Sequence, residues 1–381
     1  MSAVSQQEYD QFRDSVRRLT VSKIAPHAAE VDRTASIPRV GYAAVQEAGL
    51  IGLVIPEDRG GQGGDLMSQV IVMEEISRGC ATTALSLMSS WSHIDTLCKH
   101  GDPKHFEQVF AEIGSGKTVG AWCYTEPSGG SDLAGLKTAA QKTDDGWVLN
   151  GRKRFITNAT WADWYVVLAR TSKETTGVFL VNRNDPGVSF GKLESKMGFR
   201  GSPTADVIFD GVKLPRSREV GDPQKGWDIA MSSLLDSRCW VAAQALGIAQ
   251  GALDAAVSYT SERQAFGQAV SKFQLVRAMV ADMVLKIEAS RALLYSVVGM
   301  VHSDPVKARA FTSMAKVQCT DTANAVTTDA VQLHGGYGYL QDFPVERMMR
   351  DAKITQIWEG TNQIQRMIIA KHAYGSSSRG A

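Results

Sequence analysis

Trp147-Val148-Leu149-Asn150-Gly151-Arg152-Lys153-Arg154-Phe155-Ile156 is the stretch that divides this chain. Two short runs with aromatic and β-branched residues flank Asn150-Gly151. Asn-Gly between such runs is the strongest short-range hairpin signal, because both residues accept the positive φ of a type I′ turn. The spacing predicts a hairpin turning at 150–151. Residues before it read as helical, and so do those well after it. A β segment in the middle of a helical chain sets the order helical, β, helical.

The β segment extends over 119–225, where 164–168, 178–181 and 207–209 read as further strands between turn signals. Upstream, Ser5 and Glu8 form a capping-box pattern, and Tyr9, Phe12, Val16 and Leu19 recur at spacings of three and four. Further helices are expected over 40–48, stopped by Gly49, over 66–77 after the Gly-rich turn 60–64, and over 81–112 with a break near Gly101-Asp102-Pro103. Downstream, 231–262, 273–302 and 306–334 each carry helical periodicity over many turns, and one more helix follows from Thr361. Their apolar residues run most of the way round, so they should pack as a bundle, with stripes wide enough to suggest subunit contacts. The expected division is an α-helical domain over 1–118, a β-barrel or sandwich domain over 119–225 and a C-terminal four-helix bundle over 226–375. The Ser/Gly-rich tail 376–381 is expected to be disordered.

With 381 residues the chain is long enough for two or three domains, and its 44% hydrophobic content is that of an ordinary globular protein. Forty-one basic and 40 acidic residues leave a net charge of +1, which excludes nucleic acid or a membrane surface recognised by bulk charge. The five cysteines, Cys80, Cys98, Cys123, Cys239 and Cys319, are widely spaced without a CxxC, and the seven histidines form no HExxH. Neither a disulfide framework nor a metal site is expected. The N-terminus lacks an apolar h-region and no run of 18 apolar residues occurs. No membrane span is therefore expected, and a cytoplasmic location is, with a mature mitochondrial matrix form also compatible.

Four motifs bear on chemistry. Ile357-Trp358-Glu359-Gly360-Thr361-Asn362-Gln363-Ile364-Gln365-Arg366 sets one carboxylate in apolar company. Lost solvation raises a carboxylate pKa, which suits a general base for a weakly acidic C–H. Gly360 would let a ligand approach the backbone. The competing reading is a helix start followed by an amphipathic run. Gly116-Lys117-Thr118 invites a P-loop reading, but the required glycine position holds Ala111 and no strand precedes it, so it reads as a loop. Trp122-Cys123-Tyr124-Thr125-Glu126-Pro127-Ser128-Gly129-Gly130-Ser131-Asp132 is a strand exit whose N–H groups and hydroxyls could meet a flat polar ligand, or an ordinary Ser/Gly connection. Gln332-Leu333-His334-Gly335-Gly336-Tyr337-Gly338-Tyr339 closes a long helix and does not form the GxGxxG turn of a dinucleotide fold.

In combination these stretches resemble the acyl-CoA dehydrogenase family. Residues 124–132 and 332–351 are similar to its two signatures. Lys196–Thr204, Ala243–Gln250, Glu262–Gly267 and the Glu359 segment resemble it too, in the family's order and over essentially the whole chain. The resemblance implies FAD held non-covalently by Trp122, Tyr124, Thr125, Gly130, Ser131, Phe155, Ile156 and Thr157, with Thr361 and Gln363 close by. It implies that Arg263, Phe266, Gln274, Gln332, Leu333, Gly335 and Gly336 reach the FAD of a neighbouring subunit, hence a homo-oligomer, usually a tetramer. It makes Glu359 the base that removes the α-proton of an acyl-CoA thioester, with the β-hydrogen leaving as hydride to flavin N5. Ser131, Asp236, Arg238 and Gly360 would bind the substrate, and an electron-transferring flavoprotein would accept the electrons. Some members carry the base just before the arginine of a Leu-Asp-x-x-Arg segment. Here that residue is Ser237, so Glu359 is the candidate. Two departures stand out: Leu235-Asp236-Ser237-Arg238 is one residue short between Asp and Arg, and Trp358 stands where Tyr is common. A flavin oxidase using oxygen and a non-catalytic flavin or acyl-CoA binding protein are the alternative readings.

Overall fold

The computed structural model describes residues 4–132 and 135–375. The tail 376–381 lies outside the described residues. The helical–β–helical order is present. The first block holds α1 (Gln6–Leu19), α2 (Ala28–Thr34), α3 (Arg39–Glu47), α4 (Leu66–His100) and α5 (Pro103–Gly114). The capping box forms: the Ser5 hydroxyl accepts the Glu8 N–H, and the Glu8 carboxylate accepts the Ser5 N–H at 2.7 Å. The helices expected over 66–77 and after residue 81 are one 35-residue element kinked at Cys80, where φ is −150° and ψ is 97°. Gly114 ends α5, so the Gly116-Lys117-Thr118 segment is the link from a helix to the sheet.

The middle block is one curled seven-stranded sheet: β1 (Gly120–Cys123), β2 (Ala139–Lys142), β3 (Gly146–Ile156), β4 (Trp164–Arg170), β5 (Thr176–Asn182), β6 (Val188–Phe190) and β7 (Ala205–Pro215). Its path is β1-β4-β2-β3-β7-β6, with β5 added antiparallel on β4. The hairpin expected at Asn150-Gly151 is not there. β3 runs straight through both residues, and the turn from β2 lies at 143–145, closed by the Thr143 N–H on the Gly146 carbonyl at 2.8 Å. Gly151 instead serves a bulge. The register against β7 slips between Leu149 and Gly151, its φ is 150°, and a Cβ there would stand 2.5 Å from Thr138 Oγ1. A bulge and a tight turn both call on glycine's freedom, so Asn-Gly alone does not tell them apart.

The last block holds α6 (Gly226–Glu262), α7 (Gln274–Val298), α8 (Pro305–His334), α9 (Pro344–Thr355) and α10 (Asn362–Ala373), with a small β8–β9 ribbon (Gln264–Ala265, Gln268–Ala269) between α6 and α7. Helices α6, α7 and α8 pack on one another, α10 packs on α8, and α9 lies against both α6 and α8. Helix α9 was not foreseen as an element. Helix α6 also packs along α4, where Trp91 and Trp240 meet with ring centroids 5.7 Å apart. One core therefore runs from the N-terminal helices into the bundle. Among the described residues no helix is long and apolar enough to cross a membrane.

Candidate active site

The site is built on the turn between α9 and α10. The Ile357 and Trp358 N–H groups still bond back to the Ile354 carbonyl. The chain then reverses through Glu359 at φ 51° and Gly360 at φ 87°, and Thr361 caps α10 by accepting the Ile364 N–H. A non-glycine residue in this region costs about 1–3 kcal/mol and persists only where its surroundings hold it. Here Gln365 Nε2 donates to the Glu359 and Gly360 carbonyls at 3.1 and 3.2 Å. The fully buried Lys316 of α8 donates to the Gly360 carbonyl at 3.0 Å and to Asn362 Oδ1 at 2.8 Å. The reversal leaves the Glu359 N–H without an acceptor among the described residues.

The residue is half-buried and its carboxyl group is enclosed. Glu359 Oε2 accepts a hydrogen bond from the Ser237 hydroxyl on α6 at 3.0 Å. Burial pushes the carboxyl pKa up. The Ser237 hydrogen bond and the Arg238 and Lys316 charges pull against that without cancelling it, so the group titrates above the usual glutamate value. Burial pulls Arg238 down to about 10 and Lys316 to about 7, with Glu359 opposing both shifts. Arg238 is 5% exposed, and its Nε has no hydrogen-bond partner among the described residues. A buried donor left open in this way suits a ligand acceptor.

Tyr124 stacks flat on Trp122, with centroids 3.7 Å apart and planes 6° apart, while Trp122 Nε1 donates to Thr96 Oγ1 at 2.7 Å. The Tyr124 hydroxyl meets Ser233, one helical turn before Ser237, so phenol and base share one face of α6. The loop leaving β1 is tied to β3. Lys153, fully buried, pairs with Glu126 at 2.9 Å and donates to the Tyr124 carbonyl at 3.1 Å. The Thr125 carbonyl accepts the Arg154 N–H at 2.8 Å. Glu126 also accepts the Thr138 N–H at 2.9 Å. At the end of β3, Phe155 has φ 58° and a largely exposed ring, Ile156 is buried and Thr157 half-buried. Gly130, Ser131 and Gln363 are exposed, and Thr361 is half-buried at the start of α10.

A second group gathers elsewhere. Arg263, Gln332, Leu333, Gly335 and Gly336 line a cleft of about 650 Å³ together with Tyr337. The Arg263 guanidinium lies 5.3 Å over the Tyr337 ring, and a Cβ added at Gly335 or Gly336 would meet nothing within 4 Å. Phe266 flanks the ribbon, almost fully exposed, and Gln274 begins α7 in the open. Glu359 does not line this cleft. The structure thus brings Glu359, Gly360, Arg238 and Tyr124 together, and sets Arg263 and the 332–336 segment apart.

Asp236, expected at the substrate, is engaged otherwise. It is buried in an ion pair with Lys99 at 2.5 Å, and Lys99 also holds Asp95 at 2.9 Å. Sequence reasoning passed over Ser237 as a partner of the base, and also over Lys316 and Lys153. A charge among apolar and small residues of a long buried helix, as in Ala315-Lys316-Val317, is the signal that marks Lys316.

Known proteins match this chain over nearly its whole length. The acyl-CoA dehydrogenase N-terminal domain matches residues 6–117, the middle domain 121–212 and the C-terminal domain 224–374. The probable acyl-CoA dehydrogenase FadE25 of Mycobacterium tuberculosis is 41% identical over 96% of this chain and 95% of its own. The short-chain specific acyl-CoA dehydrogenase of Clostridium acetobutylicum is 39% identical over 95% of this chain and 97% of its own. The solved structure of butyryl-CoA dehydrogenase from Megasphaera elsdenii superposes with a TM-score of 0.93 at 36% identity, covering 98% of this chain and 100% of that one. The chain belongs to the acyl-CoA dehydrogenase family.

Proposed function

We propose that Glu359 removes the α-proton of an acyl-CoA thioester on the way to the trans-2-enoyl thioester, with bound FAD as the group that would accept the β-hydrogen. Family membership makes the chain an acyl-CoA dehydrogenase, an oxidoreductase acting on a CH–CH bond. The observation that carries the residue assignment is the Glu359 turn. One residue offers an enclosed carboxylate with a raised pKa and, from the same peptide, an N–H with no acceptor among the described residues. The carboxylate takes the proton. The N–H donates to the thioester oxygen as it gains enolate character, a donor preset where charge develops. Arg238, buried behind the base, adds positive potential in a region of low dielectric.

The residues fit FAD in two places. Trp122, Tyr124, Thr125, Gly130 and Ser131, with Phe155, Ile156 and Thr157, would hold the flavin end near the base. Arg263, Phe266, Gln274, Gln332, Leu333, Gly335 and Gly336 would hold the pyrophosphate half belonging to a neighbouring subunit. Arg263 gives bidentate charge, and the open glycine backbone gives close approach. Bound FAD would supply the hydride acceptor. A homo-oligomer, in the first instance a tetramer, and an electron-transferring flavoprotein as electron acceptor go with this reading. Arg238, Ser131 and Gly360 are kept as substrate contacts; the Lys99 ion pair speaks against Asp236.

The test is direct. Purified protein should be yellow, and an acyl-CoA added without air should bleach it and yield the enoyl-CoA. No bleaching across a panel of acyl thioesters contradicts the proposal. Rapid recolouring in air with peroxide release would make the protein an oxidase.

A further inference from the structure

We propose that Ser237 is the positioning residue of the base: its hydroxyl fixes the Glu359 carboxylate by one oxygen and leaves the other free to take the proton. The inference rests on the reading of Glu359 as the base.

Ser237 is 3% exposed in the interior of α6. A buried hydroxyl in a helix ordinarily donates to a carbonyl of the preceding turn. Others in this protein do so: Ser290 to Lys286, Thr260 to Ala256 and Thr327 to Ala323, each at 2.7 Å. Ser237 donates instead across the bundle, to Glu359 Oε2. Glu359 Oε1 makes no hydrogen bond among the described residues.

The groups facing the carboxylate come from three elements: Ser237 and Arg238 from α6, Lys316 from α8, and Tyr124 from the loop after β1. Arg309 of α8 faces Arg238. Lys316 spends its ammonium on the Gly360 carbonyl and Asn362, and Tyr124 spends its hydroxyl on Ser233 and the Ala230 carbonyl. Neither Arg238 nor Lys316 forms a salt bridge with Glu359 among the described residues. The cations therefore act at a distance without fixing a rotamer. The serine alone gives the carboxylate a direction, and a donor to an ionised oxygen also favours the ionised state.

The experiment uses the flavin-loaded enzyme and reads the anaerobic bleaching rate across pH. Ser237→Ala should keep its flavin, lose about three- to tenfold in plateau rate, and move the acid limb up by about 0.5–1 pH unit. Ser237→Thr, which keeps the hydroxyl, should restore the limb. Ser237→Cys, of similar size but a weaker donor, should move it the same way as alanine and serves if the alanine variant folds poorly. Glu359→Gln is the control. If it is inactive while Ser237→Ala and Ser237→Cys keep the wild-type limb and plateau, the inference about Ser237 is overturned and the base stands. If Glu359→Gln bleaches at the wild-type rate, the base itself is wrong.

Discussion

At the scale of single residues, Glu359 combines two costs that a structural residue would avoid, burial of a carboxylate and a left-handed backbone at φ 51°. Both persist because Gln365, Lys316 and Asn362 hold the turn. Burial raises the folded pKa, so the protonated, inactive form survives to higher pH than for an exposed glutamate. The bleaching rate should therefore fall on acidification through an apparent pKa above the ordinary glutamate value of about 4.3. A limb at or below that value would place the carboxylate in water. Lys316→Met should remove the ammonium from the Gly360 carbonyl and Asn362, leaving them only the longer bonds from Gln365 and Thr320, at a cost of about 1–3 kcal/mol read as a lower urea midpoint. Unchanged stability would mean that the turn does not depend on this clamp. A lone acid beside Ile357 and Trp358 suggested lost solvation, but the same window also reads as a helix start, and the family resemblance is what singled out Glu359. Ser237 was not legible in the sequence, since a serine in a helix looks the same whether it bonds its own turn or a carboxylate 122 positions away.

At the scale of elements, periodicity revealed most helices because a 3.6-residue repeat survives local accident. It failed where two signals share a cause. Asn150-Gly151 reads as a turn, yet Gly151 packs against Thr138 in mid-strand, a fact of tertiary approach that no local window contains. The kink at Cys80 split one helix into two readings. The loop after β1 depends on an element contact that is equally invisible locally, the buried Lys153–Glu126 pair. Lys153→Met strands a buried carboxylate and should cost about 3–5 kcal/mol, with flavin lost on gel filtration. Lys153→Met combined with Glu126→Gln should be milder than the single change, since no charge is left unpaired. A double variant as damaged as the single one would show that the pair is not what anchors the loop.

At the scale of the whole molecule, two groups of candidate residues lie apart, one around Glu359 and one around Arg263. Large apolar side chains stand in the open beside the second: Phe266 is 96% exposed, Leu275 82% and Tyr339 87%. Exposed apolar surface on this scale fits subunit contact. Phe266→Asp and Arg263→Glu should each lower flavin content, and Phe266→Asp should also shift the protein to smaller assemblies by light scattering. Full flavin loading in a Phe266→Asp monomer would contradict a cofactor shared between subunits. The helical–β–helical order was legible from the sequence. The separation of the two groups was implied by the family resemblance alone; no local window shows it, because residues 263 and 332–336 meet each other only through the packing of α6, α7 and α8. Single-turnover bleaching of Glu359→Gln without air tests whether one enclosed carboxylate starts the reaction. The variant should be as yellow as wild type and bind acyl-CoA, yet bleach at least about a thousandfold more slowly. Bleaching at the wild-type rate would contradict that role of Glu359.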